Sequence, residues 1–175
     1  METPDATVLL MYSGKVKYNL KNNLLMDITS QILNTIYIEE IREKEGGTYG
    51  VVTNGEISNV PNDRASLEVY FKTGPEKREH LTNMAIDLLH QYAEKGPRQE
   101  DLDKVREYMQ KKYVENQKEN AYWSNLMLNY LLDGYDGNKD YMDVLNSITV
   151  DDLKKFLKNL LKQGNVIEVS MIGVK

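Results

Sequence analysis

The sequence predicts an α+β domain: a mixed, largely antiparallel sheet with helices packed on one face. Three observations carry this reading. Residues 65–72 alternate, with Ala65, Leu67, Val69 and Phe71 on one side and Ser66, Glu68, Tyr70 and Lys72 on the other, the pattern of a strand with one solvated face. Leu24, Ile28, Ile32 and Ile36 repeat every four residues beside a second row of Leu25, Leu33, Tyr37 and Ile41, which makes a helix with a wide buried face. The order of elements is strand, helix, strand, strand, several helices, strand, which segregates helices to one side of an antiparallel sheet.

Residues 7–12 are a short apolar run that ends at Ser13-Gly14 and fits a buried strand. Asn19 and its neighbours offer capping side chains to the long helix that follows. Gly46-Gly47 ends that helix, because glycine adopts the left-handed conformation without steric cost. Residues 48–58 have strand preference. Proline and two Asx residues at 60–63 mark the hairpin turn more strongly than Asn54-Gly55, so Gly55 is expected at a bulge or bend. Gly74-Pro75 is expected to open the next helix, with Leu81, Met84, Ala85, Leu88, Leu89 and Tyr92 inward, until Gly96-Pro97 stops it.

A helix over 99–118 turns Leu102, Val105, Met109 and Tyr113 inward. Another from about 120 turns Trp123, Leu126, Met127, Tyr130 and Leu131 inward and ends at Asp133-Gly134. A loop over 135–139 and a short helix over 140–146 follow. Thr149 and Asp152 have capping-box spacing ahead of a helix that buries Leu153, Phe156, Leu157, Leu160 and Leu161. Gly164-Asn165 leads into a last strand over 166–172. Residues 7–175 therefore make a single domain, and residues 1–6 look like a linker joined to a start codon.

A chain of 175 residues can bury a substantial core, removing roughly 70% of its unfolded surface from water. The net charge is −5, and Lys and Arg are spread beside Glu and Asp, which speaks against a nucleic-acid partner. There is no cysteine, so disulfides and thiolate metal sites are excluded. No apolar run approaches the roughly 20 residues of a membrane span. The expectation is a soluble protein of the bacterial periplasm or cytoplasm.

Metal binding has little to stand on. The two histidines, His80 and His90, point in different directions on one helix and belong to neither H-E-x-x-H nor H-x-x-E-H. Asp87, His90 and Glu94 share a helix face, but a charged surface helix produces such triplets often. No G-x-S-x-G is present. The glycines at 46, 47 and 50 lie between a helix and a strand, the reverse of the strand-to-helix order of a phosphate cradle. The 12 tyrosines fall mostly at core or boundary positions.

Arg42 and Tyr49 remain. They flank the Gly46-Gly47 reversal, where helix end and strand start lie side by side, so both can reach one patch of surface. A guanidinium offers five donors and a phenol one, a set suited to peptide carbonyls or an oxyanion formed from one. The residues are equally at home as a helix-terminal cation and a strand aromatic.

The stretch Ile41-Arg42-Glu43-Lys44-Glu45-Gly46-Gly47-Thr48-Tyr49-Gly50-Val51 resembles the arginine–tyrosine segment of the insulinase/pitrilysin family of zinc metallopeptidases. Phe71-Lys72-Thr73-Gly74-Pro75, the Gly96-Pro97 stop and the acidic Glu100-Asp101-Leu102 continue the likeness, which covers nearly the whole chain. Arg98 departs from it, standing where many relatives carry a capping threonine. The family's H-x-x-E-H helix is absent.

The resemblance therefore implies a half-domain of the C-terminal, non-zinc type. In such a domain Arg42 and Tyr49 bind substrate, and Gly46 and Gly47 form a hinge. Zinc and the glutamate base belong to the catalytic half of the same polypeptide or complex. No metal and no catalytic residue is expected within this chain alone, and peptides are the expected substrates. The alternative that the resemblance leaves open is a non-catalytic peptide-binding or scaffold subunit of the same fold.

Overall fold

The computed structural model describes residues 5–173, with the side chain of residue 133 left aside. Four strands, β1 (Ala6–Gly14), β2 (Thr48–Ser58), β3 (Arg64–Thr73) and β4 (Asn165–Ile172), form one sheet in the order β2-β3-β1-β4. All three pairings are antiparallel. The helices are α1 (Leu20–Tyr37), α2 (Arg78–Lys95), α3 (Gln99–Asn116), α4 (Asn120–Asp133), α5 (Tyr141–Ser147) and α6 (Val150–Leu161). The α+β class and the helix-covered sheet are as the sequence predicts. Of the stretch expected to be a linker, residues 1–4 lie outside the described residues, and Ala6 is fully buried in β1.

Alternation places the core. Val8, Leu10, Leu67, Val69 and Phe71 are completely buried and meet Ile28, Ile32 and Leu33 of α1. Burial of each such side chain contributes about 1.5–3 kcal/mol. Tyr37 is buried whole, its hydroxyl donating to the Ala85 carbonyl at 3.1 Å, so the end of α1 is pinned to α2. Asn19 caps α1 by accepting from the Asn22 amide at 2.9 Å. Thr149 and Asp152 form a reciprocal capping box at the start of α6.

Several expectations are corrected. Gly55 is no bulge: it pairs in register with Leu67. Its bare backbone is needed because a Cβ there would collide with Ser30 Oγ and Met26 Sδ of α1. Pro75 lies in a turn, closed by the Lys77 amide donating to the Gly74 carbonyl at 3.0 Å, and α2 starts only at Arg78. The helix over 99–118 ends at Asn116. The largest correction concerns α4, which buries none of its described side chains: Met127, Tyr130 and Leu131 are exposed, and Trp123 is 41% accessible. The helix exists as predicted, but its apolar face lacks an intramolecular partner because α4 packs broadly against no other element.

Candidate functional site at the helix-to-strand reversal

The long helix does not run evenly to the glycines. Residues Ile38–Lys44 are wound as a π-helix, a wider turn that continues α1. Ile41 is its one buried residue, anchored in the core, while Arg42 projects outward. Among the described residues the guanidinium meets one carboxylate, that of its neighbour Glu43 at 3.6 Å, in a pair with both side chains at least half exposed. An exposed contact of that length holds the arginine weakly, so it remains available to a ligand. π-turns are uncommon and concentrate at functional sites.

The reversal is locked from both sides. Gly46 takes a φ of 58°, the left-handed region, and its amide donates to the Arg42 carbonyl at 3.1 Å. Gly47 has a different constraint, since a Cβ there would lie 2.6 Å from Leu81 Cδ1 of α2. Its carbonyl accepts from the Thr73 hydroxyl at 2.6 Å. The Lys77 ammonium reaches the Glu45 carbonyl at 3.4 Å, and His80 lies 3.2 Å from the Glu45 carboxylate. At the expected hinge, Gly46 thus stands in the left-handed region with open space around it, and Gly47 is packed against α2.

β2 then begins with a bulge. Thr48 pairs with Thr73 and Val51 with Phe71, so Tyr49 and Gly50 together oppose Lys72 alone. The Thr48 hydroxyl spans the irregularity, donating to the Gly50 carbonyl at 3.0 Å and accepting from the Gly50 amide at 3.2 Å. Such a bulge re-aims a side chain, and here it turns Tyr49 fully outward, with 99% of its surface accessible. Tyr49 borders an open cleft of about 840 Å³, whose wall includes Gly46, Gly47, Lys72, Pro75 and Lys77.

Arg42 is not part of that wall; it and Tyr49 occupy the opposite arms of the reversal. A second open cleft of about 940 Å³ lies at the other end of the sheet, around Gly14, Arg64 and Gln163. It holds none of the candidate site residues Arg42, Gly46, Gly47 and Tyr49.

Chemically the reversal offers the Tyr49 hydroxyl, the Arg42 guanidinium, and Lys72 and Lys77 beside the cleft, whose wall also carries the carboxylates of Asp5 and Glu76, with Asp5 3.7 Å from the Lys72 ammonium. Such donors bind carbonyl oxygens and developing negative charge. Among the described residues no three His, Asp or Glu side chains are grouped to hold a metal. Of the triplet on α2, Glu94 is engaged by Lys158 at 2.9 Å, and that bond holds its carboxyl below the ordinary range.

Arg98, just ahead of α3, has its own role. Arg98 gives no N-cap oxygen but grips the buried Asp101 with two bonds of 2.8 and 2.9 Å and reaches Glu39 on the π-turn at 3.5 Å. Sequence reasoning missed the π-turn and the bulge. Gly50, a lone glycine in a strand pattern, was the available signal for the bulge; the π-turn leaves none that apolar spacing reveals.

Comparison with known proteins agrees with this architecture. The profile described as peptidase M16 inactive domain matches residues 1–109. A zinc protease PQQL-like protein of Arabidopsis thaliana is 26% identical over 110 residues, which are 60% of this chain and 11% of the relative. The periplasmic protease PqqL from Escherichia coli superposes with a TM-score of 0.83 at 19% identity, over 97% of this chain and 19% of that one. The inactive peptidase domain of a putative zinc protease from Bordetella parapertussis gives 0.73 at 15% identity, over 97% and 91% of the two chains.

An M16 inactive domain from Pseudomonas fluorescens gives 0.71 at 21% identity, over 97% of this chain and 41% of that one. At these identities the superpositions carry the fold alone. The chain spans about a tenth of the curated relative and about a fifth of the E. coli protease. No helix among the described residues is long and apolar enough to cross a membrane. By its sequence match and by its fold, the chain belongs to the peptidase M16 family of zinc proteases, as an inactive domain of that family.

Proposed function

We propose that this domain binds peptide substrate for a zinc centre carried by the catalytic half of the same polypeptide or complex. In this reading Tyr49 and Arg42 donate hydrogen bonds to the substrate carbonyl or to the oxyanion that forms from it. The observation that carries the reading is the complete exposure of Tyr49 on a strand bulge at the rim of a cleft. A phenol in such a position contributes nothing to the core, so its placement suits an external partner. Arg42 supports it, since a wide π-turn delivers the guanidinium to the surface with one weak partner.

The division of labour is chemical. This chain supplies donors; the partner half would supply Zn²⁺ and the glutamate base that activate water for attack on the peptide carbonyl. Donors aimed at a developing oxyanion contribute rate without taking part in proton transfer, and losing one typically costs about 10²–10³ in turnover. Gly46 gives the loop freedom to adjust as the halves close, while Gly47 holds it against α2.

Metal analysis of the purified 175-residue chain, with a peptidase assay in added zinc, tests the split site. The expected outcome is no stoichiometric zinc and no hydrolysis. One tightly bound Zn²⁺ per chain would place the metal here and end the proposal. An H-x-x-E-H motif elsewhere in the complete polypeptide favours the peptidase, and a degenerate one favours a peptide-binding or scaffold subunit of the same fold.

A further inference from the structure

From Asn120 to Leu132, α4 carries no charged residue, and apolar side chains occur nearly all the way round it. Tyr122 and Leu126 are partly covered by the domain. Beyond them lie two exposed flanks, one with Met127, Tyr130 and Leu131 at 58–78% accessibility and the other with Leu128 and Leu132 at 52 and 72%. A helix apolar on every side is one that ends up buried.

Two polar groups near the start of the helix are satisfied within the domain. The Trp123 indole N–H donates to the Gln117 carbonyl at 2.8 Å, and the Tyr122 hydroxyl bonds Asn138 Oδ1 at 2.8 Å. The two flanks present hydrocarbon and aromatic ring, while Ser124, Asn125 and Asn129 are exposed on the same helix. A shallow groove of about 300 Å³, lined by Leu126, Met127, Tyr130, Leu131 and Asp136, is formed on this surface.

We infer that α4 is an interdomain docking helix, covered in the complete protein by an apolar, uncharged face of a neighbouring domain of the same polypeptide. Three observations select this occupant. The fold makes up 19% of the E. coli protease and 41% of the P. fluorescens chain, so in these relatives most of the polypeptide lies outside it. A single 14-residue helix presents less than the roughly 800 Å² per partner that a stable dimer of separate chains buries. A tethered domain needs less area, because the link raises its effective concentration. A lipid surface fits poorly, since α4 has no Lys or Arg to meet headgroups and its length of about 21 Å is short of a bilayer core.

Hydrogen–deuterium exchange of residues 122–132 tests this, in the complete polypeptide and in the 175-residue chain. The expected result is exchange about 100-fold slower in the complete polypeptide. Leu131→Glu in the complete polypeptide should restore fast exchange in α4. In the 175-residue chain the same substitution should leave the melting temperature unchanged, because Leu131 is 78% exposed there. Equal exchange in the two proteins, or continued protection of α4 in L131E, would overturn the inference. So would protection of α4 by dimerisation of the 175-residue chain, or its L131E-sensitive sedimentation with phosphatidylglycerol vesicles.

Discussion

Tyr37 and Tyr49 lie 12 positions apart and show what one residue type does in two environments. Tyr37 is completely buried, and burial pushes its hydroxyl pKa upward while the Ala85 carbonyl satisfies the proton. Tyr37→Phe should cost about 1 kcal/mol in denaturant unfolding, the net worth of one hydrogen bond. Tyr49→Ala should change stability by less than about 0.5 kcal/mol, since nothing in the domain rests on it.

Asp27 carries the pH dependence at this scale. Although Asp27 keeps an exposed surface, desolvation of its carboxyl by the surrounding protein lifts its pKa from 3.8 to about 6; burial raises those of Tyr135 and Tyr141, with the Asp27 charge adding to it. The folded chain therefore holds the Asp27 proton more tightly than the unfolded chain. The resulting stability is complete below pH 3.8 and is lost as pH rises through about 6. Melting temperatures across that range should fall for the native chain relative to Asp27→Asn, with the Asp27→Asn variant the more stable form at pH 7. The identities of Arg42 and Tyr49 as candidates were legible in the sequence. Their geometry was not, because spacing cannot reveal a π-turn or which strand glycine marks the bulge.

At the scale of elements, local chemistry was readable wherever one short signal decided the structure. The turn at 60–63 and the stop at Gly96 follow from proline, Asx residues and glycine. The Thr149–Asp152 box formed although aspartate is shorter than the usual glutamate: its carboxylate accepts from the Thr149 amide at 3.0 Å. Thr149→Ala should lower stability by about 1 kcal/mol, measurable as a shift in urea midpoint. Gly55 was misread because a glycine in a strand can answer to its own backbone or to an element pressed against it; here the contact is with α1. Gly55→Ala should therefore destabilise by about 1–3 kcal/mol, the range for overpacking. The helical period of α4 was correct and its burial was not, since periodicity reports which residues share a face and not whether a partner covers it.

For the whole molecule, the order of strands and helices was sufficient to give the class, and the alternation in β3 gave the side on which the helices lie. What the sequence left open is what the fold itself leaves unfinished. α4 lacks a partner, and the helix-free face of the sheet shows Val52, Tyr70, Val169 and Met171 to solvent. The Arg42 and Tyr49 side chains face outward from the reversal. These gaps suit a domain that completes its surfaces and its chemistry with other parts of a larger protein.

The central claim is that Tyr49 and Arg42 serve a metal they do not bind. Its most direct test is turnover of a peptide substrate by the complete protein, with zinc content measured on the same samples. Tyr49→Phe and Arg42→Ala should each lower kcat by about 10²–10³ while zinc content stays at the native level. Native turnover in both variants would contradict the claim and leave the pair with a structural role.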